Sequence, residues 1–143
     1  MTERLFGRIL IATDGSEKNR AALAEGIKVA RACGATVHAA YVIDTGTFST
    51  MSGDIPLGDT YRVFQAEAEQ AFARIRSQAG DVKVGTSILE GRPAAEIVKF
   101  AVAKGIDLIV IGTQGKKGLE RLLLGSVAEE IIRSAPCKVL VVK

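Results

Sequence analysis

Apolar residues along this chain change period repeatedly, and each change marks an element. Residues 9–13, ILIAT, form a continuous apolar run that stops at Asp14-Gly15-Ser16, as a strand buried on both faces does before a turn. Helical spacing follows, with Leu23, Ile27 and Ala30 on one face. Ser16 is expected to cap that helix, and Gly34 suits its left-handed C-terminal position. A second strand is expected over residues 36–43. Residues 44–58 then turn rich in Gly, Ser, Thr and Met around Pro56, a connection longer than most in a compact domain and readable as a lid or as a merely mobile loop.

From Asp59 the helical period returns through Phe64, Ala68, Ala71, Phe72 and Ile75, a stripe expected to face the core. Residues 82–89 alternate as a strand with one better-covered face, and Glu90-Gly91-Arg92 is expected to turn the chain. Pro93 suits the first turn of the next helix, where its missing N–H costs nothing. Ile97, Ala101 and Val102 are expected inward there, with Gly105 ending it. Strand four is expected over residues 107–111, a last helix over 126–134 stopped by Pro136, and a final strand, KVLVVK, over 138–143. Strand and helix thus alternate five times, which implies an α/β fold with a parallel sheet, helices on both faces and right-handed crossovers.

Composition bounds this picture without redirecting it. The 143 residues are 48% hydrophobic and 24% charged, as expected for one domain spanning 1–143. No apolar run is long enough to span a membrane and the first residues lack an apolar signal core, so a cytoplasmic protein without membrane association is expected. The formal net charge of +3 is interspersed, and there is no Trp; neither a nucleic-acid face nor a base-stacking platform is expected. Cys33 and Cys137 have no metal-like spacing and are read as two small unbridged residues. His38, the single histidine, is read as structural. No nucleophilic relay, carboxylate pair or metal-ligand set stands out, so no catalytic residue is assigned.

The chemistry concentrates in residues 107–127, DLIVIGTQGKKGLERLLLGSV. An apolar strand running into glycines and then a helix start is a candidate phosphate cradle, because glycine admits close approach and free helix-start N–H groups favour an anion. Neither the P-loop spacing nor the dinucleotide fingerprint fits: Lys116 follows Gly115 without the second glycine or the following Ser or Thr, and ATDGSEKN holds one glycine. Lys116, Lys117 and Arg121 read equally as phosphate-neutralising or as a solvated loop. Asp14 reads as an Asx turn, as a ligand group, or as both.

ILIATDGS at the first strand, GTQGKKGLERLLLGSVAEEIIRSAPCKVLVV, and the spacing Gly112, Gly115, Gly125-Ser126 resemble the universal stress protein family and its ATP-binding pattern G-x2-G-x9-G-[ST]. The resemblance implies an open five-stranded parallel sheet in the order 3-2-1-4-5, similar to the adenine nucleotide alpha hydrolase and Rossmann folds. It also implies a ligand crevice where strands one and four lie side by side. Carried over by position, it implies that Asp14 accepts from the adenine amino group and that Val42 reads the base edge by its backbone. Ala12 and Gly112 would lie near the ribose, with Thr13 and Ile111 completing the strand ends. Gly115, Gly125, Ser126 and Val127 would hold the phosphates. Ala12 departs from the proline of many members. The implied ligand is ATP, or ADP or AMP, with Mg or Mn on the phosphates. The implied assembly is a homodimer through residues 138–143, whose apolar edge is otherwise guarded only by Lys138 and Lys143. Three functions stay open: a nucleotide-sensing stress-response regulator with slow hydrolysis at most and a downstream protein partner, an ATPase or phosphotransferase completed by residues 44–58 or a partner subunit, and a non-nucleotide dimeric adaptor.

Overall fold

The structure is a computed structural model that describes residues 4–15, 19–46, 57–113 and 124–143. In chain order the elements are β1 (Arg8–Thr13), α1 (Arg20–Cys33), β2 (Thr36–Asp44), α2 (Leu57–Ala79), β3 (Val84–Gly91), α3 (Pro93–Ala103), β4 (Leu108–Gly112), α4 (Ser126–Ser134) and β5 (Lys138–Val142). The five strands form one sheet in the order β3-β2-β1-β4-β5, and every neighbouring pair is parallel.

The two faces of the sheet carry separate cores. Ile9 and Ile11 of β1, with Val37, Ala39 and Tyr41 of β2 and Val110 of β4, pack against Leu23 and Ile27 of α1 and Phe72 and Ile75 of α2. On the opposite face Leu10, Ala12, Ala40, Ile109 and Ile111 meet Ile97 and Phe100 of α3 and Ala128 and Ile131 of α4. Alternate residues of one strand therefore feed opposite cores, which is why the central strands read as unbroken apolar runs. At the amino end of the sheet the Asp107 carboxylate accepts from the amides of Gly7 at 2.8 Å and Arg8 at 3.1 Å, fixing the start of β1 beside β4.

Several expectations need correcting. The residue at the N-cap of α1 is Asn19, not Ser16, and Ser16 itself lies outside the described residues. Helix α2 opens at Leu57, inside the stretch expected as a loop; residues 47–56 of that stretch also lie outside the described residues. Strand β3 is shifted toward the C-terminus: Val82 donates to Ala79 O in the turn off α2, while Glu90 and Gly91, expected to turn the chain, still pair with Ile43 and Asp44. Val102 is 64% exposed, and Phe100 takes the inward place on α3 instead. Gly34 adopts the expected left-handed conformation, φ 66°, and Pro93 opens α3. Both cysteines are free, and burial, then the charge of Asp107, pushes the Cys137 thiol up. Among the described residues no helix is long and apolar enough to cross a membrane.

Candidate functional site

The chain leaves β1 toward β2 on one side, and β4 lies on the other, so the carboxyl ends of β1 and β4 flank a point where successive connections diverge. Ligands of open α/β sheets settle in that crevice. The register Ile11↔Val110 brings Ala12, Thr13 and Asp14 alongside Ile111 and Gly112. Across the other edge of β1, Thr13 lies opposite Tyr41, which puts Val42 one step further toward the same end of the sheet.

These residues do different work. Ala12 and Ile111 are buried members of the core on the α3 and α4 face, so only their backbones are free to meet a ligand. The Thr13 hydroxyl accepts from Gly15 N at 3.0 Å and closes the turn after β1. Gly15 sits at φ 79°, and a Cβ there would stand 3.2 Å from the Tyr41 ring; both the backbone sign and the close approach demand glycine. Asp14 follows β1 half-buried, its amide donating to Asn19 Oδ1 at 3.1 Å.

Asn19 is a residue that the sequence reading missed. It is 6% exposed, and although it occupies the N-cap of α1 its side chain makes no cap hydrogen bond. It reaches back to the chain leaving β1 instead. An Asn just ahead of a helical apolar stripe is an N-terminus signal, yet that signal points to the helix and not to the preceding turn. Tyr41 and Glu67 were likewise not singled out: the Tyr41 hydroxyl donates to Glu67 Oε2 at 2.6 Å beneath the Gly15 turn. Burial, the Glu67 hydrogen bond and charge, and the charge of Asp14 all push the Tyr41 hydroxyl well above its ordinary pKa.

The second half of the site comes from α4. Gly125 donates to Thr113 O at 2.6 Å, and Thr113 donates to Val142 O at 3.1 Å, so the start of α4 is tied across β4 to β5. Gly125 is the N-cap, with φ −71° and ψ 161° and no side-chain cap hydrogen bond. That extended backbone is open to any residue, so conformation does not explain the glycine. Ser126 and Val127 occupy the first turn and are exposed. Gly115, with Lys116, Lys117 and Arg121, lies outside the described residues. Among the described residues no group of three or more His, Cys, Asp or Glu is placed to hold a metal ion.

Residues 5–143 match the universal stress protein family. A universal stress protein of Methanocaldococcus jannaschii is 43% identical over 143 residues, covering 99% of this chain and 84% of that protein. Among solved structures, the hypothetical protein MJ0577, the subject of a structure-based assignment of biochemical function, superposes with a TM-score of 0.84 at 32% identity, over 97% of this chain and 96% of that one. A universal stress protein from Archaeoglobus fulgidus in complex with dAMP shares the fold, with a TM-score of 0.70 at 22% identity over 97% of this chain and 99% of that one.

Proposed function

This chain belongs to the universal stress protein family, and from that premise we propose that it is an ATP-binding member, a homodimeric nucleotide sensor of the cytoplasm with slow hydrolysis at most. The observation that carries the reading is the start of α4, where the N-cap is a glycine with no side chain to cap the helix and its amide is pinned to Thr113 beside the ends of β1 and β4. Free N–H groups and the positive end of a helix dipole at a switch point suit a phosphate chain. The dAMP complex of the Archaeoglobus fulgidus protein supports an adenine nucleotide as the ligand.

In this reading Asp14 accepts from the adenine amino group, and the backbone of Val42 reads the base edge. The backbones of Ala12, Thr13, Ile111 and Gly112 wall the ribose, and Gly115, Gly125, Ser126 and Val127 hold the phosphates. A carboxylate suits an exocyclic amine, which donates, and would repel a phosphate or the carbonyl of guanine. The described donor set offers no metal cage, so a Mg or Mn ion in this reading is held chiefly by the phosphates and water, as Mg usually is.

Equilibrium dialysis against labelled ATP tests the assignment. ATP is expected to be retained at one per chain, displaced by unlabelled AMP and not by GTP. No retention of ATP overturns the reading, and equal displacement by GTP removes Asp14 from the base. Phosphate release followed over hours is expected to stay slow; many turnovers per minute would make the protein an enzyme.

A further inference from the structure

At the opposite, amino-terminal end of the sheet lies an open cleft of about 470 Å³, lined by Arg8, Thr36, His38, Lys83, Gly85 and Lys104 together with two valines. Its residues come from the starts of β1, β2 and β3 and from the C-terminus of α3. We propose that this cleft is a second binding site, for a small multiply charged phosphate-bearing anion.

Charge imbalance is the first ground. Three permanent cations and the one histidine line the cleft and no carboxylate does. Among the described residues Arg8, Lys83 and Lys104 take no part in an ion pair; Lys28, Arg62, Lys99 and Arg133, which do, lie elsewhere. The nearby Asp107 is committed to the amides of Gly7 and Arg8. Cations on a convex surface are simply solvated, but here they line a concavity of small-molecule size, where their fields add.

Order is the second ground. The Arg8 guanidinium donates through Nη1 to Lys104 O at 2.8 Å, which caps the last turn of α3 and leaves further donors of the fork available. The Lys104 ammonium stands 6.0 Å from the Phe100 ring centroid, and the His38 ring meets the same Phe100 edge-on at 6.0 Å. Phe100 thus holds two of the polar groups in relation to each other. Gly85 pairs with His38 across the sheet, and a Cβ at that position would lie 3.6 Å from His38 Nδ1. The missing side chain keeps the imidazole open to the cleft.

His38 registers these cations: burial first, then Lys104 and Arg8, hold its pKa below the ordinary value. An anion among those cations reverses the sign of that influence. Because the chain has a single histidine, its two carbon-bound ring protons report the site with no other imidazole to be told apart from it. His38 also lies four residues from Val42 along β2, roughly 13 Å at the usual strand rise, so the nucleotide reading can fail while this one stands.

The test is a proton NMR titration of the whole chain with inorganic pyrophosphate at constant ionic strength. The His38 resonance is expected to shift saturably, and its pKa to rise at saturating pyrophosphate. Lys104→Ala should weaken binding roughly tenfold, the loss of one charge-assisted hydrogen bond. Gly85→Val, which sets a branched side chain against His38 in the cleft but keeps every charge, should weaken it at least as much; backbone amide spectra of both variants confirm that they are folded. A linear, non-saturating shift overturns the proposal. So does a shift that is unchanged in Gly85→Val, because diffuse surface charge would survive that substitution.

Discussion

Asn19 shows how a single buried side chain holds a site element that no motif announces. Its Oδ1 accepts from Asp14 N at 3.1 Å, and removal would leave a part-buried amide unsatisfied, at a cost of about 1–3 kcal/mol. Asn19→Ala should therefore lower the midpoint of chemical denaturation, and in the nucleotide reading also weaken ATP, since Asp14 loses its anchor. Asn19→Asp keeps the acceptor and should recover most of the stability. His38 makes a prediction about pH. Its folded pKa is lowered by burial and by Lys104 and Arg8, so below pH ~6.5 the unfolded chain binds more protons than the folded one. Stability should be complete above that pH and fall as the pH drops toward the folded pKa. Thermal melts between pH 5 and 7 should show a slope that flattens in His38→Gln; an unchanged slope assigns it to other groups.

At the scale of elements, the contact between α1 and β1 is set by a glycine. A Cβ at Gly26 would stand 2.6 Å from Ile11 Cδ1 and 2.8 Å from Cγ1. Alanine normally favours a helix by about 1 kcal/mol over glycine, but overpacking costs about 1–3 kcal/mol, so Gly26→Ala should destabilise. Adding Ile11→Val, which deletes Cδ1, should recover part of the loss in a double-mutant cycle; additive effects would show that the helix moves away instead. The central strands were legible in sequence because burial on both faces leaves few polar interruptions, Thr36 and His38 at the start of β2 being the exceptions, and residues 9–13 and 36–43 need only a one-residue extension each. Edge elements were less legible. Strand β3 is only partly buried along its length, so its alternation says little about where pairing starts, and Val82 was absorbed into the turn off α2. Val102 misled because it is apolar and next to Ala101, yet it lies five residues beyond Ile97, far around the helix, whereas Phe100 lies three beyond and faces in. The Gly125-Ser126 start of α4 was readable to the residue. The tie from Gly125 to Thr113 was not, because it joins two elements across a stretch whose sequence does not encode the closure.

For the whole molecule, β5 is the edge of the sheet at which assembly is proposed. It pairs with β4 alone among the described strands, and its exposed neighbours on α4 include Ile132 at 45%. Thr113 N donates to Val142 O, so the polar backbone atoms of Val142 face β4 and those of Val141 face outward, as alternation in a parallel pair requires. Val141→Pro removes an outward donor, which an edge strand tolerates, and trims a half-buried side chain packed against the α3 and α4 core. In the homodimer proposed through this edge it should convert dimer to monomer in light scattering, with the fold retained; a dimer that persists places the interface elsewhere.

The central claim is that the start of α4 receives a phosphate chain, and Gly125 lets it be tested against its own opposite. Asp is among the best N-cap residues and complements the helix dipole, so Gly125→Asp should leave stability equal or a few tenths of a kcal/mol higher. The same carboxylate placed before the first N–H groups of the helix would occupy them and repel a phosphate. Titration calorimetry of ATP into the wild type and Gly125→Asp, with a thermal melt of each, is therefore the most direct measurement. The account predicts saturable heat in the wild type, none in a variant at least as stable, and is contradicted if the wild type gives no heat or the variant binds ATP as well.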